Sequence, residues 1–335
     1  MKYVLGIDVG GTSIKAGIFT LEGQLKAVRT IPTSDLTTPQ AFAEVTDGLT
    51  NLVSSVDGVI TDVEAVGLDI PGPVDANGNV GFLPNIKLDP DGLKNALKET
   101  FFQARLAFVN DANAAALGEM WMGGAKGVKN FIMITLGTGV GGGVVLNGQL
   151  VAGANGAGGE LGHLTMNYEE TRTCGCGRHG CLEQYASASG IVTLYKEACE
   201  KAGKEPCALS GRSDSYSVFK AMAAGDECAR TAISQMLEYL ARAMAQLSCA
   251  VDPEAFVIGG GVVGSFDVFK DELTERFQAH CLPICRNTKI VPADLGNQAG
   301  MYGAALCALS AEEECGTPRI FGRWLQSQGC SRLLL

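Results

Sequence analysis

No lysine- or arginine-rich run interrupts this chain, and acidic residues outnumber basic ones, 36 to 26, for a formal net charge of −10. A surface of that sign repels a phosphate backbone, so nucleic acid is not an expected partner. No apolar run is long enough to cross a bilayer, so no membrane partner is expected either. The start, Met1-Lys2-Tyr3-Val4-Leu5-Gly6-Ile7, reaches Asp8 before a signal-peptide core can form. The 44 glycines have no collagen-like period. The 12 cysteines are irregularly spaced outside 174–181, which argues against a disulfide framework. The expectation is a cytoplasmic chain in a reducing compartment. Cys199, Cys207, Cys228, Cys249, Cys281, Cys285 and Cys307 are then expected mostly as small buried hydrophobes.

What is present is apolar bulk and glycine punctuation. With 335 residues, 46% of them hydrophobic, the chain can bury two domain-sized cores. The pattern predicts strands over 3–8, 13–19 and 25–30, joined by the turns Gly10-Gly11-Thr12 and Glu22-Gly23 into an antiparallel meander. Helices are predicted over 40–56, 93–102 and 112–120, and strands over 65–69 and 106–109. The arrangement then repeats. Strands over 131–135 and 140–146 flank Gly137-Thr138-Gly139, and Asn147-Gly148 is a hairpin signal. Helices follow over 188–202, 215–224, 227–251, 266–278 and 300–309, with strands over 256–258 and 289–291. This is a duplication of architecture more than of sequence, and it predicts two similar halves with both glycine turns on one cleft.

Asp8 to Thr12 stands between two strands, which is wrong for a dinucleotide-binding fingerprint, where a helix must follow. A hairpin of this kind still presents backbone N–H groups to phosphate oxygens, and Asp8 suits a water-mediated Mg2+ contact. Read alone, it is equally a glycine turn with a capping aspartate. Read with Gly137-Thr138-Gly139 and Gly259-Gly260-Gly261, it is one of three phosphate-binding loops. Asn110-Asp111 lies between a strand and an alanine-rich helix. Asp111 there is either the N-cap of that helix or a general base for an attacking hydroxyl.

Between 153 and 187 the chain concentrates Glu160, His163, Cys174, Cys176, Cys181 and Glu183 among glycines. Three thiolates and an imidazole close a tetrahedral zinc site and leave no open position. His163 is the expected fourth ligand rather than His179, which sits too near Cys181. A closed site braces a fold, and the flanking carboxylates suggest a pocket for a neutral, hydroxyl-rich ligand. Glu160 and Glu183 also read as a glycosidase pair, but that leaves the three glycine loops unexplained.

Six motifs in order carry a resemblance: 6–12, Pro71-Gly72-Pro73-Val74-Asp75, Asn110-Asp111-Ala112-Asn113, 136–143, Gly159-Glu160-Leu161-Gly162-His163, and 174–183. Over the stretch from the first strand to about Leu309 the chain resembles the ROK family of bacterial sugar kinases, most closely its glucokinases. The resemblance implies an α/β, two-lobed, duplicated actin-like ATPase (ribonuclease H-like) fold with a zinc-binding insertion. The expected lobes are 1–112 with 297–335, and 113–296. It implies ATP-dependent phosphorylation of glucose at the 6-hydroxyl, with Asp111 as the base. Asn85, Asn110, Glu160, His163 and Glu183 would hold the sugar with Asp111. Asp8, Gly10, Gly11, Thr12, Gly137, Thr138 and Gly139 would meet phosphates and Mg2+, and Gly260 and Gly261 the adenosine side. His163 would put one ring nitrogen on zinc and turn the other to the sugar.

ATP, Mg2+ and a structural Zn2+ are the implied cofactors, and a homodimer or homotetramer the implied assembly. Family glucokinases carry a tryptophan shortly after the Pro-Asn pair that closes over the sugar. Here Pro84-Asn85 is followed by Ile86-Lys87-Leu88, so other hexoses and N-acetylhexosamines stay open as substrates. Regulators of the family carry a helix-turn-helix ahead of the first strand, and this chain starts on the strand, so an enzyme is expected. The segment after Leu309 lies beyond the resemblance.

Overall fold

The computed structural model describes residues 1–311 apart from 12, 33–34, 76, 82, 84–85 and 210–213. Thr12, Asn85 and the segment after Ala311 therefore lie outside the described residues.

The chain divides into two compact units. The first is Met1–Lys129, Gly143–Gly159 and the chain from Asn297 onward; the second is Asn130–Gly142 and Glu160–Gly296.

The first unit opens with the predicted meander, β1 (Tyr3–Val9), β2 (Ser13–Thr20) and β3 (Leu25–Pro32), paired antiparallel throughout. Helix α1 (Pro39–Ser54) follows, capped by Thr38, whose side chain accepts the Ala41 N–H at 3.2 Å. Strand β4 (Val63–Ile70) then pairs parallel to β1, with Asp8 opposite Asp69. Helix α2 (Pro90–Thr100) starts three residues before its apolar pattern does. Asp89 accepts from Gly92 N at 3.1 Å and Pro90 fits the first helical position, so a polar first turn is held by its cap. Strand β5 (Arg105–Asn110) pairs parallel to β4 and delivers α3 (Asp111–Met122). The sheet order is β3-β2-β1-β4-β5.

A second sheet repeats it. Strands β6 (Phe131–Leu136), β7 (Val140–Leu146) and β8 (Gln149–Leu150) form the second meander. Four helices come next: α4 (Glu183–Ala186), α5 (Ala188–Lys201), α6 (Ser215–Ala223) and α7 (Glu227–Val251). Strand β9 (Ala255–Gly259), helix α8 (Phe266–His280) and strand β10 (Lys289–Pro292) complete the set, with β6, β9 and β10 mutually parallel. The order β10-β9-β6-β7-β8, read backwards, matches the first sheet strand for strand. Two sheets of this order, each a meander extended by parallel strands, constitute the duplicated actin-like ATPase fold.

The last helix, α9 (Ala299–Ser310), belongs to the first unit and lies directly on its sheet. A Cβ at Gly6 would run into the Met301 carbonyl, and one at Gly67 into that of Ala304. Helices α3 and α9 also touch backbone to backbone: Gly303 faces the Ala114 carbonyl and Gly118 that of Ala299. Small residues at these crossings set the depth at which α3, and so Asp111 at its first turn, sits against the strand ends. Of the cysteines expected in the core, Cys199, Cys228, Cys281, Cys285 and Cys307 are buried, whereas Cys207 and Cys249 are exposed. Cys207 lies in a short 3-10 turn and Cys249 in the last turn of α7, at a position turned away from its buried stripe.

Candidate active site and metal centre

In the first unit three carboxyl groups gather at the carboxyl ends of adjacent strands. Asp8 ends β1, Asp69 ends β4 in register with it, and Asp111 opens α3 just after β5. The structure assigns the capping role to Asn110 rather than Asp111: Asn110 Oδ1 accepts from Asn113 N at 3.1 Å. Asn110 Nδ2 donates to Asp111 Oδ1 and to Gly72 O, both at 3.0 Å, and Ala112 N donates to the same Asp111 oxygen at 2.9 Å. Asp111 is thus released from capping and held by its neighbours. The turn after β1 is closed by Gly10 N donating to Ser13 O at 3.0 Å.

Asp69 was not among the residues singled out in the sequence. Its signal was there: one acid inside an otherwise apolar strand. It is fully buried, with the Asp8 carboxyl and the Val9 backbone N–H as polar neighbours. Burial pushes its carboxyl well above the usual range, and the charges of Asp8 and Asp111 push it further. Asp8 is also raised, first by burial, against the pull of Lys15 and the Asp69 contact.

The second unit holds the remaining candidates. His163, Cys174, Cys176 and Cys181 present ligand atoms that all lie within 4.8 Å of one another. Cys176 Sγ and Cys181 Sγ are 3.7 Å apart, and Cys174 Sγ is 3.8 Å from His163 Nδ1. A tetrahedral zinc ion with bonds of about 2.3 Å spaces its ligands by about 3.8 Å, so the donor set fits that metal. His163 is the histidine of the set; His179 is bonded through Nδ1 to the Arg172 carbonyl at 3.0 Å. Burial opposes ionisation of Cys176, but hydrogen bonds at Arg178 and from the other two thiols outweigh it and bring the thiol down to about 6. Burial, then the neighbouring thiols, push Cys181 up to about 12. Three thiols this close ionise together only around a cation.

The knuckle depends on backbone geometry. Gly177 and Gly180 have φ of +83° and +70°, and a Cβ at Gly180 would strike Asn167 O. Nε2 of His163, the nitrogen turned away from Cys174, lies 4.0 Å from Glu160 Oε2. Glu183 opens α4, a helix absent from the sequence expectation, and its Oε2 accepts from Val140 N at 3.1 Å. Gly260, at φ +84°, packs on the backbone of Leu136, which brings the third glycine loop beside the Gly137 turn. A cavity of about 390 Å³ opens between that turn and the knuckle, lined among others by Thr138, Gly139, Arg172, Cys174, Glu183 and Ser189. The site residues thus form two sets: Asp8, Gly10, Gly11, Asn110 and Asp111 in the first unit, and Gly137 to Gly139, Glu160, His163, the cysteines, Glu183, Gly260 and Gly261 in the second.

The sequence profile of the ROK family matches residues 4–311. A glucokinase of Halalkalibacterium halodurans is 37% identical over 90% of this chain and 93% of its own length. An N-acetyl-D-glucosamine kinase of Escherichia coli is 30% identical over 91% of this chain and 99% of its own. A solved ROK family glucokinase from Streptomyces griseus, in complex with glucose and AMPPNP, superposes with a TM-score of 0.70 at 30% identity, covering 90% of this chain and 98% of that one.

Proposed function

The chain belongs to the ROK family, and on that premise we propose that it is an ATP- and Mg2+-dependent sugar kinase that phosphorylates glucose at the 6-hydroxyl. The observation that carries the reading is Asp111. It stands at the first turn of α3 beside Asp8 and Asp69, with one carboxyl oxygen fixed by two donors. A carboxylate oriented in this way is suited to take a proton from a hydroxyl as that hydroxyl attacks a phosphoryl group.

Asn110, Glu160, His163 and Glu183, with Asn85, hold the other hydroxyls of the sugar. Gly10, Gly11 and Thr12, Gly137 to Gly139, and Gly260 with Gly261 meet the nucleotide through backbone N–H groups. Asp8 would hold the nucleotide's Mg2+. Bound Mg2+ supplies neutralisation of phosphate charge. A zinc ion on His163 Nδ1 and the three thiolates would fix the imidazole so that Nε2 is a directed donor toward the hydroxyl-binding side. Most of the rate enhancement then comes from positioning and electrostatic stabilisation.

A second reading is a kinase for an N-acetylhexosamine or another hexose. It is favoured by Ile86-Lys87-Leu88 after Pro84-Asn85 and by the likeness to the N-acetyl-D-glucosamine kinase. Steady-state rates over a panel of glucose, mannose, fructose, allose, N-acetylglucosamine and N-acetylmannosamine, with ATP as donor, decide between them. The highest kcat/KM is expected for glucose. A higher value for an acetylated sugar replaces the first reading by the second, and no turnover of any sugar defeats both.

A further inference from the structure

The segments that carry the metal ligands also hold the second glycine turn. Within the turn, Gly137 N donates to Gly139 O at 3.0 Å. Further restraints come from residues in or just beyond the knuckle. Ala188 N donates to Gly137 O at 2.8 Å, and Ser189 Oγ donates to Thr138 O at 3.0 Å. Val140 N donates to Glu183 Oε2 at 3.1 Å, while Glu183 Oε1 lies 3.6 Å from Cys174 Sγ. From the other ligand segment, Gly162, next to His163, packs so tightly on Val140 O that a Cβ there would not fit. The turn is therefore clasped from both sides, by the residues around His163 and by those following Cys181.

A glycine turn left to itself samples many conformations, and its N–H groups then point at a phosphate only part of the time. Fixing it beforehand removes that ordering cost from binding.

We propose that the metal knuckle braces the donor-phosphate turn, with Glu183, two residues after the ligand Cys181, as the positioning residue that holds Val140, so that the loaded metal site raises affinity for the nucleotide in the absence of sugar. This rests on the reading of Gly137 to Gly139 as a phosphate-binding turn. It assigns the metal a duty toward the nucleotide that is separate from aiming His163. The carboxylate is placed for it: of its two oxygens, one takes the turn's N–H and the other borders a ligand sulfur.

The test is calorimetric binding of MgADP, without sugar, to the zinc-loaded protein and to Glu183→Ala, Glu183→Gln and Ser189→Ala, with zinc content measured for each. Loss of a hydrogen bond to a charged acceptor predicts about tenfold weaker MgADP binding in Glu183→Ala at unchanged zinc content. Glu183→Gln keeps an acceptor for Val140 N and is expected to recover most of that affinity. Ser189→Ala, which touches neither metal nor sugar, is expected to weaken MgADP several-fold and to raise KM for ATP more than it lowers kcat. Stripping zinc is expected to weaken MgADP in the wild type and to add little in Glu183→Ala.

Wild-type affinity in both alanine variants, or in folded zinc-free protein, overturns the inference. If Glu183→Ala sheds its zinc or fails to fold, Ser189→Ala alone decides. A zinc-loaded wild type that binds no MgADP points instead to failure of the phosphate-turn reading itself.

Discussion

Asn110 Nδ2 donates to Asp111 Oδ1 at 3.0 Å, while the Oδ1 of the same asparagine caps α3. One side chain thus ends a strand, starts a helix and aims the carboxylate at the helix's first turn. Asp111→Asn keeps the size of the side chain and removes its basicity. Turnover is expected to fall at least 100-fold, within the span general-base catalysis supplies, while calorimetry shows sugar binding retained. Near-normal turnover would remove Asp111 from the role of base.

The metal centre makes a separate prediction. Elemental analysis is expected to find one zinc per chain. Titration with a chelator should weaken sugar binding at concentrations below those that collapse the circular-dichroism signal. Protein purified without zinc yet fully active, or a Cys176→Ser variant that binds sugar like the wild type, would show that the cluster has no bracing role.

Asp69 predicts a pH dependence. Its folded-state pKa is raised, first by burial and then by Asp8 and Asp111. The folded chain therefore holds that proton more tightly than the unfolded chain does. The associated stability is complete below the unfolded value of 3.8 and is lost as pH rises through the folded one. Asp69→Asn has no proton to lose. Its melting temperature relative to the wild type is expected to climb as pH rises above the unfolded value. A difference that does not change with pH would mean that Asp69 ionises in the folded chain as freely as in the unfolded one.

The crossing of α3 and α9 predicts a stability effect remote from the chemistry. Gly303→Ala sets a methyl group against the Ala114 carbonyl. Overpacking of this kind costs about 1–3 kcal/mol, read as a lower urea midpoint at unchanged slope. An unchanged midpoint would mean that the two helices separate at little cost. A midpoint loss accompanied by a lower kcat would indicate that the crossing also sets the depth of Asp111.

Much of the site was legible because its parts are local. Asp8 with its glycines, Asn110-Asp111, the Gly137 turn and the Cys174–Cys181 knuckle are each a few consecutive residues, where spacing and turn chemistry decide the backbone. The two meanders were legible for the same reason, since each strand pairs with the next one along the chain. Helix α4 was not: four residues show no period, and Leu182, the residue before it, supplies no side-chain cap. Whether Asp111 caps α3 was also open, because an aspartate ahead of an alanine-rich run suits a cap; the cap is Asn110, one residue earlier.

The sequence by itself determined most of the elements and which histidine and cysteines form the candidate metal cluster, since these follow from residue type and near-neighbour spacing. Only the tertiary structure decided what those residues touch. Asp69 acquires its raised pKa because β4 buries it and, paired with β1, sets it beside Asp8. Glu183 acquires Val140 N across 43 residues of chain. His163 comes to lie between Cys174, 3.8 Å from its Nδ1, and Glu160, 4.0 Å from its Nε2. Burial and charge at each of these places are sums over residues distant in sequence, and those sums exist only once the strands have paired and the knuckle has closed.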